Sequence, residues 1–275
     1  MKLKRSECFL SFKKNEKQNP SICDQMEQAG FIRKCSSGIY SWLTLGLLSL
    51  EKIIKIIDKE HAKENIMKIL MPMCHDANLW KKSNRYNEYG SEMLKIIDRN
   101  KKEFVFGPSA EELIAYLTTT FNPNKNSYPF NLYNIQWKFR DEIRPRFGIV
   151  RGREFLMKDA YSFHKTKNCL MNTYEKMFNL YSRIFEKLNL KVCTVNSDVG
   201  LMGGFLSHEF LTKSNQGETK LSYNNFPNQP IQWENRDEAF EDVNSNETFA
   251  EIGHIYALGD KYTKTFNLKN PQTND

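Results

Sequence analysis

The sequence predicts an α+β fold, a mainly antiparallel sheet flanked by helices. Two consecutive segments, residues 132–140 and 153–163, alternate in a two-residue period, and the loop between them holds a proline and two glycines, as in a long hairpin. Helical periodicity marks residues 47–57 and 170–188. The strands and helices do not alternate regularly along the chain, which argues against a parallel α/β sheet.

The first helical segment carries apolar residues at three- and four-residue intervals, the pattern of an amphipathic helix. They are Leu47, Leu50, Ile53, Ile54 and Ile57. The next segment, "NIMKILMPMC", is a predicted strand in which Pro72 cannot donate to a ladder, so we expect that position at an edge, a bulge or an interface. "KEFVFGPSAEELIAYLTTT" predicts a strand, a turn and a helix whose N-terminus is a capping box of Ser109 and Glu112.

The first hairpin strand is predicted to be half-buried, with apolar side chains on one side and polar side chains on the other. The apolar set is Ile135, Trp137 and Phe139, and the polar set is Gln136, Lys138 and Arg140. The second strand places Phe155, Met157 and Asp159 on one side.

Beyond the hairpin, the period of residues 170–188 predicts a core helix, and "LKVCTVNSDVGLMGGFLSHEFL" predicts a strand, a glycine turn and a strand. Residues 211–250 are polar and lack periodicity, which predicts a loop or a small insertion. "AEIGHIYALGDKYTKTF" is again strand-like.

Composition excludes disorder throughout, because 40% of the 275 residues are hydrophobic, enough for one large domain or two small ones. A net charge of +7 favours a polyanionic partner, although a lysine-rich soluble surface gives the same excess. The six cysteines lack metal-ligand spacing, so we expect reduced thiols, no metal site and a cytoplasmic location. No run is long enough to span a membrane, and an organellar transit peptide remains an alternative for the basic N-terminus.

The arginine-rich hairpin "FRDEIRPRFGIVRGREFLMKDAYSF" has the chemistry of a nucleotide site. The fork of Arg140 suits phosphate or carboxylate oxygens, Glu142 can accept from an exocyclic amine, and Phe155 offers a flat face to a base. A solvated, salt-bridged hairpin is the alternative, and no glycine-rich phosphate loop is present.

This hairpin closely resembles the second signature motif of class II aminoacyl-tRNA synthetases, in the form found in bacterial-type prolyl-tRNA synthetases. Five further blocks resemble the family in family order, so that the resemblance extends from about residue 20 to 265. They are "AGFIRKCSSGIYSWLTLGL", "LMPMCHDANLWKKSNRYNEYGSEMLKIIDR", "FGPSAEELI", "GGFLSHEF" and "GHIYALGDKY". The resemblance implies a ligase that activates L-proline with ATP and Mg²⁺ to prolyl-adenylate and transfers it to tRNA(Pro). It also implies a homodimer.

Site residues follow from the resemblance. It implies that Arg140 is catalytic and meets both the α-phosphate of ATP and the carboxylate of proline. The other implied ATP contacts are Glu142, Arg151, Phe155 and His254. The other implied proline contacts are Ser109, Glu111, His208 and Tyr256, with Glu111 binding the secondary ammonium. Ser109 and Ala110 stand where the family usually has threonine and histidine.

Two departures from the family set further expectations. Residues 211–250 lie where longer relatives carry an editing domain, so we expect no cis editing. The third signature motif and the anticodon-binding domain are not found after "GHIYALGDKY", so we expect a single, partial catalytic domain over 1–275, incomplete at the C-terminus, with weakened ATP binding. The alternative is a catalytically inactive, synthetase-like binding or dimerisation module. A general basic nucleic-acid-binding protein is disfavoured, because the arginines cluster on one hairpin.

Overall fold

The computed structural model describes residues 12, 20–121, 123–221 and 247–268. Within these ranges the chain forms seven α-helices and twelve strands. The helices are α1 (Ile22–Gln28), α2 (Thr44–Lys63), α3 (Ala77–Lys82), α4 (Arg85–Glu88), α5 (Glu111–Phe121), α6 (Lys167–Lys187) and α7 (Lys261–Thr265). The strands are β1 (Ile32–Ser36), β2 (Ile39–Trp42), β3 (Met67–Ile69), β4 (Cys74–Asp76), β5 (Lys95–Ile97), β6 (Glu103–Phe106), β7 (Phe130–Phe139), β8 (Glu154–Phe163), β9 (Cys193–Asn196), β10 (Leu206–Lys213), β11 (Thr219–Lys220) and β12 (Thr248–Ala257).

The predicted antiparallel character of the sheets is confirmed. Strands β1 and β2 form a separate hairpin, and the sheet orders are β3-β7-β8, β4-β6-β5 and β11-β12-β10-β9. Only β3 and β7 pair in parallel among the described strands. The predicted hairpin is β7 and β8, which pair continuously from Phe130 opposite Phe163 to Phe139 opposite Glu154. This pairing holds the arginine-rich loop at one end of the hairpin.

The polar side of β7 faces the interior, whereas the sequence predicted a half-buried strand with one polar face. Lys138 is 2% exposed, whereas Ile135 and Trp137 are only partly buried. The reason is an acidic partner on the neighbouring strand, since the Lys138 Nζ lies 3.4 Å from the carboxylate of Asp159. A buried charge is tolerated only when it is paired.

Helix α6 supplies the largest core, as its periodicity predicted. Its first turn is capped by the hydroxyl of Thr166, which accepts from the backbone N–H of Cys169 at 3.2 Å. One face of the helix packs on the sheet that contains β10 and β12, and the ring of Phe178 lies 5.0 Å from that of Phe210. The fully buried members of this core are Phe178, Leu180, Cys193, Phe210, Leu211 and Phe249.

The strand predicted for "NIMKILMPMC" is divided in two. Residues 67–69 form β3 at the edge of its sheet, residues 74–76 form β4 in another sheet, and Pro72 lies between them outside any ladder. Pro72 therefore lies in the break between two strands, and neither the predicted edge position nor the predicted bulge is what the structure shows; its place at an interface stays a prediction.

The capping box predicted for Ser109 and Glu112 is wrong. Helix α5 begins at Glu111, and its first backbone hydrogen bond runs from Ile114 to the carbonyl of Ala110 at 2.9 Å. The side chains of Ser109 and Glu112 contact Arg85 instead, at 3.0 Å each. A buried guanidinium needs several acceptors, and this requirement outweighs the capping of one helix.

A buried histidine fixes the turn that precedes α5. His75 Nε2 donates to the carbonyl of Pro72 at 3.1 Å, and its Nδ1 accepts from the Trp80 indole at 3.2 Å, so both ring nitrogens are used by the neutral form. Burial lowers the pKa of His75 to about 4. A Cβ on Gly107 would lie 2.2 Å from this ring, so only glycine fits there.

No helix in the described ranges combines the length and apolar character that a membrane span requires.

Candidate active site

A cleft of about 2220 Å³ lies between the β7/β8 hairpin and strand β12. Consecutive residues of both β8 and β12 line it, including Phe155–Lys158 and Glu251–Tyr256, so the cleft runs along the facing edges of these strands. Small-molecule sites usually occupy about 300–1,000 Å³. The cleft therefore has room for more than one small ligand.

One end of the cleft is built on a buried arginine that the sequence analysis missed. Arg85 is fully buried, and its Nη1 lies 3.2 Å from Glu111 Oε2 and 3.0 Å from Glu112 Oε1. Its Nη2 donates to the hydroxyl of Ser109 at 3.0 Å. These contacts hold the Ser109–Glu112 turn against α4. The only signal in the sequence is an arginine within an aromatic-rich block.

The aromatic residues around Arg85 explain how a cation is kept there. Its guanidinium lies 4.8, 5.6 and 5.7 Å from the ring centres of Trp80, Tyr89 and Tyr262, respectively. Ring faces attract a desolvated cation. The carboxylates of Glu111 and Glu112 raise the pKa of Arg85 further above its usual range.

A second ion pair forms the floor of the same end. The Nζ of Lys138 lies 3.4 Å from Asp159, and the hydroxyl of Tyr161 donates to Asp159 Oδ2 at 2.8 Å. Burial raises the pKa of Asp159, and the nearby charge of Glu111 raises it further. Three carboxylates, those of Glu111, Glu112 and Asp159, lie at this end, which we call the acidic end of the cleft, together with the cations of Arg85 and Lys138. The carboxylates suit a ligand with a cationic group.

The predicted catalytic arginine lies beside this acidic end. The guanidinium of Arg140 donates to the carbonyl of Pro108 at 3.3 and 3.4 Å, and it lies 5.5 Å from the ring of Phe155. It therefore stands between the turn that carries Glu111 and the aromatic face of Phe155. Arg140, Glu111 and Phe155 all line the cleft.

Two predicted ATP contacts, Glu142 and Arg151, lie outside the cleft lining and pair with each other. Arg151 Nε donates to Glu142 at 2.7 Å, and Arg151 also binds Glu218. Arg146 binds the same Glu218 at 2.6 Å. The backbone N–H of Arg144 and the charge of Arg151 lower the pKa of Glu142. The roles of Glu142 and Arg151 in ATP binding stay predictions.

The prediction of His208 as an amino-acid contact does not fit its position. His208 is 1% exposed, and its ring lies against Phe178 of α6. The Nδ1 atom of the ring is hydrogen-bonded to the Tyr174 hydroxyl at 2.7 Å. Strand alternation sends its neighbour Glu209 to the other face of β10, and Glu209 lines the cleft.

The predicted residues His254 and Tyr256 do line the cleft, together with Glu209. The rings of His254 and Tyr256 are stacked with centres 3.9 Å apart, and Ser207 lies 2.6 Å from His254 Nε2. Possible ligand atoms of Glu209, Glu251 and His254 lie within 4.8 Å of one another. Carboxylate oxygens suit Mg²⁺, so this group could contact a metal ion carried by a phosphate substrate.

Comparisons with known proteins agree on the fold. Residues 93–275 match the family model of the tRNA synthetase class II core domain (G, H, P, S and T). The chain is similar to a solved Giardia lamblia prolyl-tRNA synthetase in complex with prolyl-adenylate, with a TM-score of 0.72, 17% identity, and coverage of 88% of this chain and 45% of that one. A Cryptosporidium parvum prolyl-tRNA synthetase complexed with halofuginone and AMPPNP gives a TM-score of 0.69 at 13% identity, covering 89% and 44%.

The chain shares higher sequence identity with curated relatives than with these solved structures. A proline--tRNA ligase of Ehrlichia ruminantium is 46% identical over 268 residues, which cover 90% of this chain and 63% of the relative. A proline--tRNA ligase of Bartonella tribocorum is 38% identical over 301 residues, covering 97% and 68%. The chain therefore spans roughly three fifths to two thirds of the length of these curated relatives.

Proposed function

Because the chain belongs to the class II tRNA synthetase core-domain family, we propose that it joins L-proline to ATP to form prolyl-adenylate and transfers the prolyl group to tRNA(Pro). The observation that carries this proposal is that Glu111 and Arg140 both line the cleft, where Arg140 donates to the carbonyl of Pro108 in the turn that leads to Glu111. A carboxylate and a guanidinium in one pocket match the ammonium and carboxylate of an amino acid.

The first step needs two anions to approach each other. A carboxylate oxygen of proline attacks the α-phosphorus of ATP, and the bond to the β-phosphate oxygen breaks as pyrophosphate leaves. Arg140 offsets the repulsion between the two anions, because its planar fork can donate to both. The side chain contributes position and charge, and the step requires no protein nucleophile.

The nucleotide would lie along the hairpin from Arg140 toward the loop. Phe155 offers its face to adenine, and Mg²⁺ would accompany the phosphates of ATP as part of the substrate. Glu209, Glu251 and His254 are the cleft residues whose ligand atoms suit contact with that ion. In the second step the terminal ribose hydroxyl of tRNA attacks the carbonyl carbon of prolyl-adenylate, and AMP leaves.

We propose a homodimer formed through the face that contains α2 and β3. The proposal follows the family resemblance, and four apolar side chains on these elements and the following residue are exposed and available for contact. They are Leu47, Ile53, Met67 and Leu70. Light scattering of the purified chain would test the assembly, and a monomer at micromolar concentration would contradict it. The cytoplasmic location stays a prediction.

Amino-acid-dependent exchange of pyrophosphate into ATP tests the activity directly. We expect exchange with proline and at least tenfold less with each other amino acid. A folded sample that shows no exchange overturns the proposed activity. Proline binding without exchange, measured by calorimetry, would instead support the binding-module alternative, which shares the same acidic pocket.

A further inference from the structure

We propose that Arg153 is a positioning residue for Arg140: it holds the backbone turn that follows Arg140 and so fixes the direction of the Arg140 guanidinium. Arg153 lies outside the cleft lining, so it acts through the backbone and touches no substrate. This inference rests on the proposed function and deepens it, because it names a residue behind the site that controls the rate of adenylate formation.

The chain turns sharply directly after Arg140. The regular pairing of β7 with β8 ends at Phe139 opposite Glu154. One more ladder bond follows, from the N–H of Arg140 to the carbonyl of Arg153 at 2.9 Å. The N–H of Glu142 then donates to the carbonyl of Arg140 at 2.7 Å, which closes a three-residue turn. Arg140 therefore lies where the ladder ends, and the turn after it sets the direction of its backbone.

The side chain of Arg153 holds this turn. Its Nε donates to the carbonyl of Glu142 at 2.9 Å and lies 3.5 Å from the carboxylate of Asp141. On the other side of the turn, the N–H of Asp141 donates to the carbonyl of Glu92 at 2.8 Å. The ion pair with Asp141 is partly exposed, and such pairs contribute little. The hydrogen bond from Arg153 to the backbone is therefore the contact that fixes the turn.

The β1/β2 hairpin anchors Arg153 in its turn. The N–H of Arg153 donates to the carbonyl of Gly38 at 2.8 Å, and Gly38 lies between β1 and β2. Gly38 has a φ of +74°, which favours glycine. A Cβ on Gly38 would lie 2.9 Å from both the nitrogen of Arg153 and the Cβ of Pro145. The close approach of the two hairpins thus holds Arg153 from outside the cleft.

Arg140 depends on this support because its own side-chain contacts are weak. Its guanidinium donates to the carbonyl of Pro108 at 3.3 and 3.4 Å, which is long for a charged donor. A displacement of about 1 Å in a positioned group can cost on the order of 10²-fold in rate. Because Arg140 acts on charge that grows in the transition state, a looser turn should lower kcat more than it raises the KM for proline.

Two substitutions of Arg153 separate its hydrogen bond from its charge. Arg153→Met keeps an unbranched side chain and removes the donor. Arg153→Gln removes the charge but keeps an amide N–H on the atom that corresponds to Nε along the side chain. Arg99→Met makes the first change at an exposed position outside the cleft. Proline-dependent pyrophosphate exchange gives kcat and both KM values for each full-length variant, and urea unfolding shows whether each is folded.

We expect Arg153→Met to lower kcat about tenfold, with a KM for proline within twofold because Glu111 is unchanged. Arg153→Gln should stay within about threefold of the unchanged chain, and so should Arg99→Met.

A double-mutant cycle with Arg140→Lys shows whether Arg153 acts through Arg140. In that background Arg153→Met should lower kcat by less than about threefold, because the guanidinium that it positions is already gone. A general folding defect would lower kcat equally in both backgrounds. If Arg153→Met does not fold, Arg153→Lys, which moves the donor one atom further along the side chain, takes its place in the cycle.

Three results would overturn the role of Arg153 in a folded variant. They are a kcat for Arg153→Met within twofold of the unchanged chain, a kcat for Arg153→Gln as low as that of Arg153→Met, and an equal fall in both backgrounds of the cycle. A failure of the proposed function looks different, because the unchanged chain then shows no proline-dependent exchange, and the inference falls with it.

Discussion

Arg85 Nη1 lies 3.2 Å from Glu111 Oε2, and the two side chains are 0% and 8% exposed. Glu111 is thus positioned by an arginine that itself lies out of reach of solvent, bound also to Glu112 and Ser109. The geometry of the acidic end of the cleft depends on this one guanidinium.

Replacing Arg85 should affect both stability and proline binding. Arg85→Met leaves two buried carboxylates without their cation, which costs about 3–5 kcal/mol in the free energy of unfolding. Arg85→Lys keeps the charge but loses the planar guanidinium group with its several N–H donors. We therefore expect a KM for proline about tenfold higher, and a KM for ATP within twofold of that of the unchanged chain. Urea unfolding and exchange kinetics measure the two effects. The exposed Arg99→Met is the control, and an equal rise of both KM values would contradict a specific role.

Arg140 should be needed for the chemical step. Arg140→Ala removes the cation between the two reacting anions, and we expect kcat for exchange to fall about 10²- to 10³-fold. Arg140→Lys should recover little of this loss, because an ammonium lacks two parallel donors. Steady-state exchange at saturating substrates measures kcat. Full activity of Arg140→Lys would show that charge alone suffices.

Phe155 should contribute to ATP binding through its ring. Stacking of a base on an aromatic side chain is worth about 1–3 kcal/mol, so Phe155→Leu should raise the KM for ATP about tenfold or more. Phe155→Tyr keeps the ring and serves as the matched variant. The KM for proline should stay within twofold in both. If Phe155→Leu raises only the proline KM, adenine does not lie on this residue.

Glu218 should compete with ATP for the arginines of the hairpin loop. Its carboxylate contacts both Arg146 and Arg151, which carry exposed guanidinium groups suited to phosphate. Glu218→Gln should lower the KM for ATP about two- to threefold at low salt, and the difference should disappear near 0.5 M salt because exposed pairs are screened. A higher KM for the variant would mean that Glu218 supports the loop.

Acid should destabilise the chain through its buried histidines. Burial lowers the pKa of His75 from 6.5 to about 4, so below pH 6.5 the unfolded chain binds a proton that the folded chain does not. Stability is therefore fully present above pH 6.5 and is lost as the pH falls toward 4, by roughly 3 kcal/mol for this residue. Urea unfolding at several pH values measures the slope. His75→Asn should reduce this slope without removing it, because burial also lowers the pKa values of His61 and His164 to about 4. An unchanged slope would exclude His75 as one of its sources.

The hairpin and α6 could be predicted because each has a single strong period over ten or more residues. The same alternation could not say which side of β7 is buried, since the partner of Lys138 is Asp159 on another strand. His208 and Glu209 are adjacent in the sequence, and only the packing of β10 on α6 decides which of them reaches the cleft. Arg85 was missed because its acceptors lie 24 to 27 residues away along the chain.

The family resemblance supplied what periodicity could not. It brought Ser109, Glu111, Arg140 and Phe155 into one predicted site, and the structure gathers these residues along one cleft. Glu142 and Arg151 belong to the loop side of the hairpin, where their ion pairs with each other and with Glu218 were not visible from spacing.

The central claim is that a single cleft holds both the prolyl and the adenosine parts of prolyl-adenylate, with Glu111 at the amine and Arg140 at the junction of the two parts. Calorimetric titration with the stable analogue 5′-O-(N-prolylsulfamoyl)adenosine tests it most directly. We expect one binding event per chain, at least tenfold tighter than for the alanyl analogue, and weakened at least tenfold by Glu111→Gln. No binding to the folded chain, or equal affinity for the prolyl and alanyl analogues, would contradict the claim.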